Sequence, residues 1–283
     1  MKVVLLGGTK GMGRALARLM VGDPVSTKAP KPKPDRTAGR TDKTTADKAK
    51  AEKLKAERPK IDLFLLGRDE TDVARSARDL EVRGSRPVNS VGSAVCDLAK
   101  PATFAPALEA AERALGGLEV VVVTAGLFAT QDKLEADPAF TARMLDANFT
   151  GTVLFCEEAR KRLLARGGGT LCVFTSVAGE RGRKPVILFG AAKAGLSHYL
   201  EGLDHKFSAR GLKVINVKPG FVKTAMTAGL PVPPFAGEPD RVAKLVLSAS
   251  ERGRPVVYAP RIWGAIMLVI RLLPRVVMRK IGF

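Results

Sequence analysis

Histidine and cysteine are scarce in this chain of 283 residues. It has two histidines, His198 and His205, and three widely spaced cysteines, Cys96, Cys156 and Cys172. No Cys-x-x-Cys pair occurs, so we expect neither a disulfide scaffold nor a structural zinc site. The sequence therefore predicts reduced thiols and no bound metal.

Long hydrophobic runs are also missing. Only the four apolar residues Val3 to Leu6 follow the N-terminus before a glycine pair, and the core of an export signal needs roughly 7–15. The longest apolar run, Ile262 to Ile270, has nine residues, whereas a membrane-spanning helix needs about 20. We therefore expect a cytoplasmic protein.

Acidic residues are outnumbered, with 28 Asp+Glu against 47 Lys+Arg and a formal net charge of +19. Such an excess favours an anionic partner, which can be nucleic acid, a membrane surface or a phosphate-rich cofactor. Residues 24–60 hold 12 of the basic residues, five acidic ones and a single leucine. This composition is typical of a solvated low-complexity insertion. A nucleic-acid-binding arm is the alternative, but no RNA-binding aromatic motif accompanies it, so we expect no nucleic-acid partner.

Outside that insertion, apolar strands alternate with amphipathic helices up to about residue 260. The strands are apolar on both faces, which is typical of a parallel sheet covered by helices on both sides. The pattern predicts one doubly wound α/β domain of Rossmann type over residues 1–260, followed by a basic tail over residues 261–283. A single long helix is expected over residues 139–166.

A glycine-rich turn separates the first strand from the first helix. Glycines here allow a sharp turn and let a pyrophosphate approach the backbone, and the helix N-terminus offers free N–H groups. A tight turn with incidental glycines is the alternative interpretation. The candidate cofactor-binding residues of this turn are Gly7, Thr9, Lys10, Gly11, Met12 and Gly13.

Arg68 follows the second strand, where a dinucleotide fold meets the adenosine ribose. An acidic residue at this point favours NAD, whereas a basic residue pairs with the 2′-phosphate of NADP. We therefore expect NADP rather than NAD. In the alternative, Asp69 caps the next helix and Arg68 is a solvated charge.

Further motifs follow in a fixed order along the chain. They are Asp97 after the third strand, Thr124-Ala125-Gly126, Asn148, Ser176, Lys193 and the loop Pro219 to Thr224. In this order and spacing they resemble the short-chain dehydrogenase/reductase family, outside residues 24–60 and the tail.

The resemblance implies an oxidoreductase that transfers a hydride between NADP(H) and a carbonyl or secondary alcohol. It also implies a homo-oligomer. It assigns Asp97 to the adenine, and it assigns to the rest of the cofactor Ala125, Gly126, Lys193, Pro219, Gly220, Val222 and Thr224.

The same resemblance implies an active site of Asn148, Ser176 and Lys193, with a tyrosine as the proton donor. Here Phe189 stands where the family has that tyrosine, thirteen residues after Ser176. A positioned acid contributes roughly 10²–10⁴ in rate, so three explanations remain open. In the first, the chain is a reductase that uses water for proton delivery. In the second, it is an NADP-binding pseudoenzyme with a regulatory or scaffolding role. In the third, it is a variant of a tyrosine-bearing parent.

Two basic segments bear on the substrate. Arg181, Arg183 and Lys184 lie in the loop between Ser176 and Phe189, where they either attract an anionic substrate or are solvated charges.

Residues 261–283 hold five basic residues and no acidic one. We expect them to form an amphipathic helix, interrupted at Pro274, whose basic stripe contacts the inner face of the membrane. A helix packed on the sheet or in a dimer interface is the alternative. This tail is weakly similar to reductases of polyprenyl-phosphate-linked sugars, which favours an apolar or lipid-linked substrate.

Overall fold

The computed structural model describes residues 1–22, 61–84 and 91–282. The predicted insertion at 24–60 lies outside these residues. Seven parallel strands form one sheet in the order β3-β2-β1-β4-β5-β6-β7. The strands are β1 (Lys2–Leu6), β2 (Asp62–Gly67), β3 (Val91–Val95), β4 (Val120–Val123), β5 (Gly169–Phe174), β6 (Leu212–Pro219) and β7 (Val256–Ala259).

Ten α-helices connect and follow the strands within the described residues. They are α1 (Gly11–Met20), α2 (Glu70–Arg83), α3 (Phe104–Leu115), α4 (Gln131–Ala136), α5 (Pro138–Leu145), α6 (Gly151–Ala165), α7 (Ile187–Phe207), α8 (Pro239–Glu251), α9 (Ile262–Leu272) and α10 (Arg275–Lys280).

Alternate residues of each strand face opposite sides of the sheet. In β1, Val3 and Leu5 pack into a core with α1, α2 and α8, whereas Val4 and Leu6 pack into a second core with α3, α6 and α7. Because side chains alternate along a strand, both faces are apolar and both need a helical cover. This confirms the predicted doubly wound Rossmann-type fold.

The long helix expected over residues 139–166 is divided. α5 ends at Leu145, a π-helical turn covers Asp146–Thr150, and α6 begins at Gly151. A Cβ at Gly151 would overlap the carbonyl oxygen of Leu98. The backbone of α6 therefore lies directly against the backbone of the loop after β3. Such π turns inside helices are frequent at functional sites, and this one contains Asn148.

The C-terminal tail forms α9 and α10, which Pro274 separates as the sequence predicts. Met267 and Ile270 of α9 are buried against Val177 and are flanked by the partly buried Trp263 and Tyr258. The tail therefore packs on the segment that follows β5. Within the described residues, no helix combines the length and the apolar character needed to cross a bilayer.

Neighbouring positions on α9 test this packing. Met267 is fully buried and Leu268 is 52% exposed. We expect Met267→Ala to lower the free energy of unfolding by about 2–4 kcal/mol, as buried truncations do, and Leu268→Ala to change it by less than about 0.5 kcal/mol. Urea unfolding measures both, and equal effects would show that α9 does not dock through Met267.

Candidate cofactor and active site

The glycine-rich turn lies at the carboxyl edge of the sheet, where β1 and β4 are neighbours. Gly7 has φ +95°, and a Cβ there would lie 2.6 Å from the backbone nitrogen of Ala125. A Cβ at Gly13 would overlap the carbonyl oxygen of Gly7. The hydroxyl of Thr124 donates to that same oxygen at 3.1 Å. The turn therefore depends on glycine, and it joins the ends of β1 and β4 closely.

The first turn of α1 is open to an anion. Its preceding residue, Lys10, makes no side-chain cap, and no acidic residue lies in the first turn. The free N–H groups and the helix dipole therefore favour a negative group at this point. Across the cleft, the side chain of Thr224 would lie 3.5 Å from a Cβ at Gly11, so the loop after β6 faces the turn.

At the adenosine end of the site, Arg68 is a basic side chain without a carboxylate partner in the described part of the chain. Lys10 forms an ion pair with Asp72 at 3.2 Å, and Asp69 caps α2 by accepting from the backbone nitrogen of Asp72. Arg68 is exposed and has no carboxylate partner among residues 1–22, 61–84 and 91–282. Asp69 therefore forms the N-cap that the sequence offered as the alternative interpretation, and Arg68 is exposed beside it.

The other predicted cofactor residues lie along the same edge. Thr9 approaches Gly67, and Met12 packs against the core on its side of the sheet. The carboxylate of Asp97 accepts from the backbone nitrogen of Ala99 at 3.1 Å. Val222 is buried and pairs with Gly237.

Trp263 of α9 holds the loop that begins with Pro219 and Gly220. A Cβ at Gly220 would overlap the Trp263 indole. The tail thus contacts the loop that the resemblance assigns to cofactor binding.

Asn148 is fully buried and fixes the loop after β4. Its amide nitrogen donates to the carbonyl oxygen of Leu127 at 2.6 Å, and its amide oxygen accepts from the Leu127 nitrogen at 2.9 Å. A Cβ at Gly126 would lie 2.7 Å from that amide oxygen and 3.7 Å from Nζ of Lys193. Gly126, Asn148 and Lys193 therefore meet in one place.

Lys193 is buried on α7, and its Nζ donates to the carbonyl oxygen of Phe174 at 3.2 Å. Nζ lies 5.8 Å from the centre of the Phe189 ring, which packs edge-on against Phe128 with ring centres 5.0 Å apart. Burial lowers the pKa of Lys193 to about 8. The position expected for a phenol is thus occupied by Phe189, which has no ionisable group. It lies beside the Lys193 amino group, whose pKa is lowered.

Ser176 lies at the end of β5, next to the loop after β6. Its hydroxyl accepts from the backbone nitrogen of Ala178 at 3.1 Å and lies 3.4 Å from the carbonyl oxygen of Pro219. Tyr199 is a phenol six residues after Lys193. It donates to Glu157 at 2.7 Å and packs against the core. Tyr199 is therefore a structural aromatic and does not replace the missing phenol.

The basic loop after Ser176 is tied to the tail. Arg181 donates to the carbonyl oxygen of Leu273 at 2.9 Å, and Lys184 donates to that of Arg279 at 2.7 Å. Arg183 differs, because its Nε is buried without a hydrogen-bond partner in the described structure, and burial lowers the pKa of its guanidinium. Two of the three basic residues are therefore structural, and Arg183 has no carboxylate partner in the described part of the chain.

Glu180 is a site residue that the sequence does not reveal. Its side chain is 4% exposed and pairs with Lys218 and with Arg271, the latter at 3.3 Å. The hydroxyl of Tyr258 donates to it at 3.2 Å. The cluster joins the Ser176 segment, the end of β6 and the tail. Arg271, whose side chain is 46% exposed, therefore pairs with the buried carboxylate of Glu180.

A sheet of this order, with a glycine turn at its switch point and Asn148, Ser176 and Lys193 at its carboxyl edge, defines a dinucleotide-binding oxidoreductase fold. A family model described as short chain dehydrogenase matches residues 51–232. The chain therefore belongs to the short-chain dehydrogenase/reductase family, an oxidoreductase family that binds nicotinamide cofactors.

Relatives of this chain carry oxidoreductase names. An uncharacterized oxidoreductase of Mycobacterium tuberculosis is 29% identical over 218 residues, which are 77% of this chain and 86% of the relative. Carbonyl reductase family member 4 of Xenopus laevis is 28% identical over 217 residues, covering 72% and 88% of the two chains.

Solved structures share the fold. A short-chain dehydrogenase from Sphingobium yanoikuyae in complex with NADPH has a TM-score of 0.70 at 20% identity and covers 97% of each chain. A short-chain type dehydrogenase/reductase from Mycobacterium ulcerans has a TM-score of 0.69 at 18% identity, covering 90% of this chain and 86% of that one.

The burial of Lys193 predicts a specific pH dependence of stability. Between the folded pKa of about 8 and the ordinary value of 10.5, the unfolded chain binds more protons than the folded one. The free energy of unfolding therefore gains a contribution that rises with pH over this window, by up to ~1.4 kcal/mol per pH unit.

Urea unfolding of the cofactor-free chain at pH 7.5 to 10.5 measures this contribution as the difference between wild type and Lys193→Met. The exposed Lys244→Met is the matched control and keeps the wild-type slope. A Lys193→Met variant that follows the wild type across the window would contradict the assignment.

Proposed function

We propose that this chain is an NADPH-dependent oxidoreductase that reduces a carbonyl or oxidises a secondary alcohol. The observation that carries the proposal is the meeting of Asn148, Gly126 and Lys193 beside Ser176 at the carboxyl edge of the sheet. When bound, the cofactor supplies or accepts the hydride. The residues that would hold it lie in the glycine-rich turn, at Arg68 and Asp97, in the loop after β4, and in the loop after β6.

The geometry of this chain fits a dinucleotide. The backbone crowding at Gly7 and Gly13 excludes a side chain at these two positions, and the open N-terminus of α1 favours a pyrophosphate. Arg68 supports NADP over NAD, because it is an exposed guanidinium without a carboxylate partner among the described residues.

Arg68→Gln tests the choice of cofactor. Because the lost interaction is with the 2′-phosphate, the dissociation constant for NADPH should rise about tenfold or more, which corresponds to at least ~1.4 kcal/mol, while that for NADH stays unchanged. Arg78→Gln, which removes an exposed arginine of α2, is the control. Fluorescence titration measures both constants, and parallel losses for NADPH and NADH would argue against a 2′-phosphate contact.

A proton must reach the carbonyl oxygen when a hydride reaches its carbon. Of Asn148, Ser176, Phe189 and Lys193, only Lys193 changes charge near neutral pH. We infer that its ammonium delivers the proton through water, while the hydroxyl of Ser176 donates a hydrogen bond to the carbonyl oxygen. The kcat for carbonyl reduction should therefore fall as the pH rises above about 8, because the ammonium is lost.

Phe189→Tyr introduces the phenol that the native chain lacks, and so it measures how much the missing phenol limits catalysis. A positioned acid contributes roughly 10²–10⁴ in rate, so this variant should raise kcat by about a hundredfold, with the dissociation constant for NADPH unchanged. NADPH oxidation with a panel of ketones and aldehydes measures the ratio.

The alternative function is an NADP-binding regulator or scaffold without turnover. It is favoured by the same residue, because Phe189 packs against Phe128 as an apolar wall. Turnover by Phe189→Tyr with none by the native chain would support this alternative and would contradict the reductase proposal. Absence of NADP(H)-induced thermal stabilisation in both proteins would contradict both functions.

The substrate is proposed to be apolar or lipid-linked and to carry a negative group. Arg183 supports the negative group, because a partly buried guanidinium without a counter-charge gains from an anion. The outer face of α9 supports contact with the inner face of a membrane, since its large side chains are exposed. They are Ile262, Leu268, Val269 and Leu272.

We also propose a homo-oligomer. Phe149 in the π turn and Leu154 on α6 support it, because both are exposed apolar side chains and exposed apolar surface is typical of protein interfaces.

A further inference from the structure

A hollow outside the cofactor site lies between the end of α8, the edge strand β7 and the start of α9. Its volume is about 240 Å³. We call it the arginine hollow, because three of its lining residues are Arg252, Arg254 and Arg261. The chain's own catalytic candidates do not line it, so it is separate from the site described above.

The three guanidinium groups come from different segments. Arg252 follows α8, Arg254 precedes β7, and Arg261 precedes α9. No aspartate or glutamate lines the hollow, and none of the three arginines forms an ion pair with a carboxylate in the parts of the chain that the structure describes. The fold therefore gathers three positive charges and leaves them without compensation.

This arrangement suits a phosphate group. Planar guanidinium groups match phosphate oxygens with two parallel hydrogen bonds each. The hydroxyl-bearing Ser248 also lines the hollow.

The arginine hollow borders the exposed apolar face of α9. Arg261 lines the hollow and directly precedes that helix. On α9 the exposed side chains Ile262, Val269 and Leu272 recur at helical spacing. A phosphate beside an apolar surface is the arrangement of an anionic lipid headgroup above its acyl chains. A second copy of the chain fits less well, because residues 261–283 carry five basic residues and no acidic one.

We propose that the arginine hollow is a phosphate-binding site that takes the headgroup of an anionic lipid. A soluble phosphate ester carries the same chemistry and is distinguished by the experiment. Assignment to a lipid rests on the membrane contact proposed above, whereas assignment to phosphate does not.

The experiment uses the full chain and three variants. The hollow variant is Arg252→Gln/Arg254→Gln/Arg261→Gln. The control variant Lys213→Gln/Arg241→Gln/Lys244→Gln removes the same charge from exposed positions outside the hollow. The apolar variant is Leu268→Gln/Val269→Gln/Leu272→Gln. Circular dichroism and the melting temperature without added phosphate establish that each variant folds.

Two readouts are measured. Co-sedimentation uses vesicles of phosphatidylcholine alone and with 30 mol% phosphatidylglycerol. Thermal shift uses sodium phosphate against sodium chloride at equal ionic strength. The hollow variant should bind the anionic vesicles about a hundredfold more weakly than wild type, since each basic residue near the surface contributes about 1 kcal/mol. It should also lose the phosphate-specific thermal shift, while the control variant keeps both properties.

The outcomes separate the sources. Loss of both readouts in the hollow variant supports a lipid headgroup, and loss of the thermal shift alone supports a soluble phosphate ester. Equal losses in the hollow and control variants would overturn the site. So would an analytical ultracentrifugation result in which the hollow variant changes its oligomeric state while the wild type shows no phosphate-specific thermal shift. If the hollow variant keeps both readouts and only the apolar variant loses vesicle binding, the membrane contact stands and the arginine hollow fails.

Discussion

The buried amino group of Lys193 is the interaction on which the proposed chemistry depends. It donates to the carbonyl oxygen of Phe174 and lies between Gly126 and the Phe189 ring. Burial lowers its pKa to about 8, so the charge is held at a cost to the folded state. Its acceptor, the carbonyl oxygen of Phe174, lies at the end of β5. Asn148 fixes the neighbouring loop after β4 through two hydrogen bonds to Leu127. Since Phe189 cannot titrate, the proposal assigns the proton chemistry of the site to this lysine.

The C-terminal tail contacts the segments that form the proposed active site. Glu180 links the Ser176 segment to Lys218, Tyr258 and Arg271, and Trp263 contacts Gly220 in the loop after β6. The inner face of α9 therefore supports residues on both sides of the proposed nicotinamide position. Its outer face and the arginine hollow remain exposed. An anionic surface bound there would sit on the helix that holds these loops, so docking and catalysis would share one element.

Much of this fold could be predicted from local sequence. The alternation of strands and helices is predicted because apolar runs buried on both faces leave few alternatives. The N-cap of α2 at Asp69 was also among the interpretations of the sequence. The π turn at Asn148 could not be predicted, since it depends on contacts with Leu127 and Leu98 from other segments. The Glu180 cluster was missed for the same reason, because its partners Lys218 and Tyr258 are 38 and 78 residues away. Local pattern thus predicts the scaffold, whereas long-range polar contacts decide the site.

The most direct test of the central claim is deuteride transfer by the native chain. NADPH labelled with deuterium on its transferable carbon is incubated with a panel of ketones and aldehydes, and the alcohol products are analysed by mass spectrometry. The account predicts products that carry one deuterium on the carbinol carbon, formed faster at pH 7 than at pH 9.5. Tight NADPH binding without any labelled alcohol across the panel would contradict it and would leave a cofactor-binding protein without turnover.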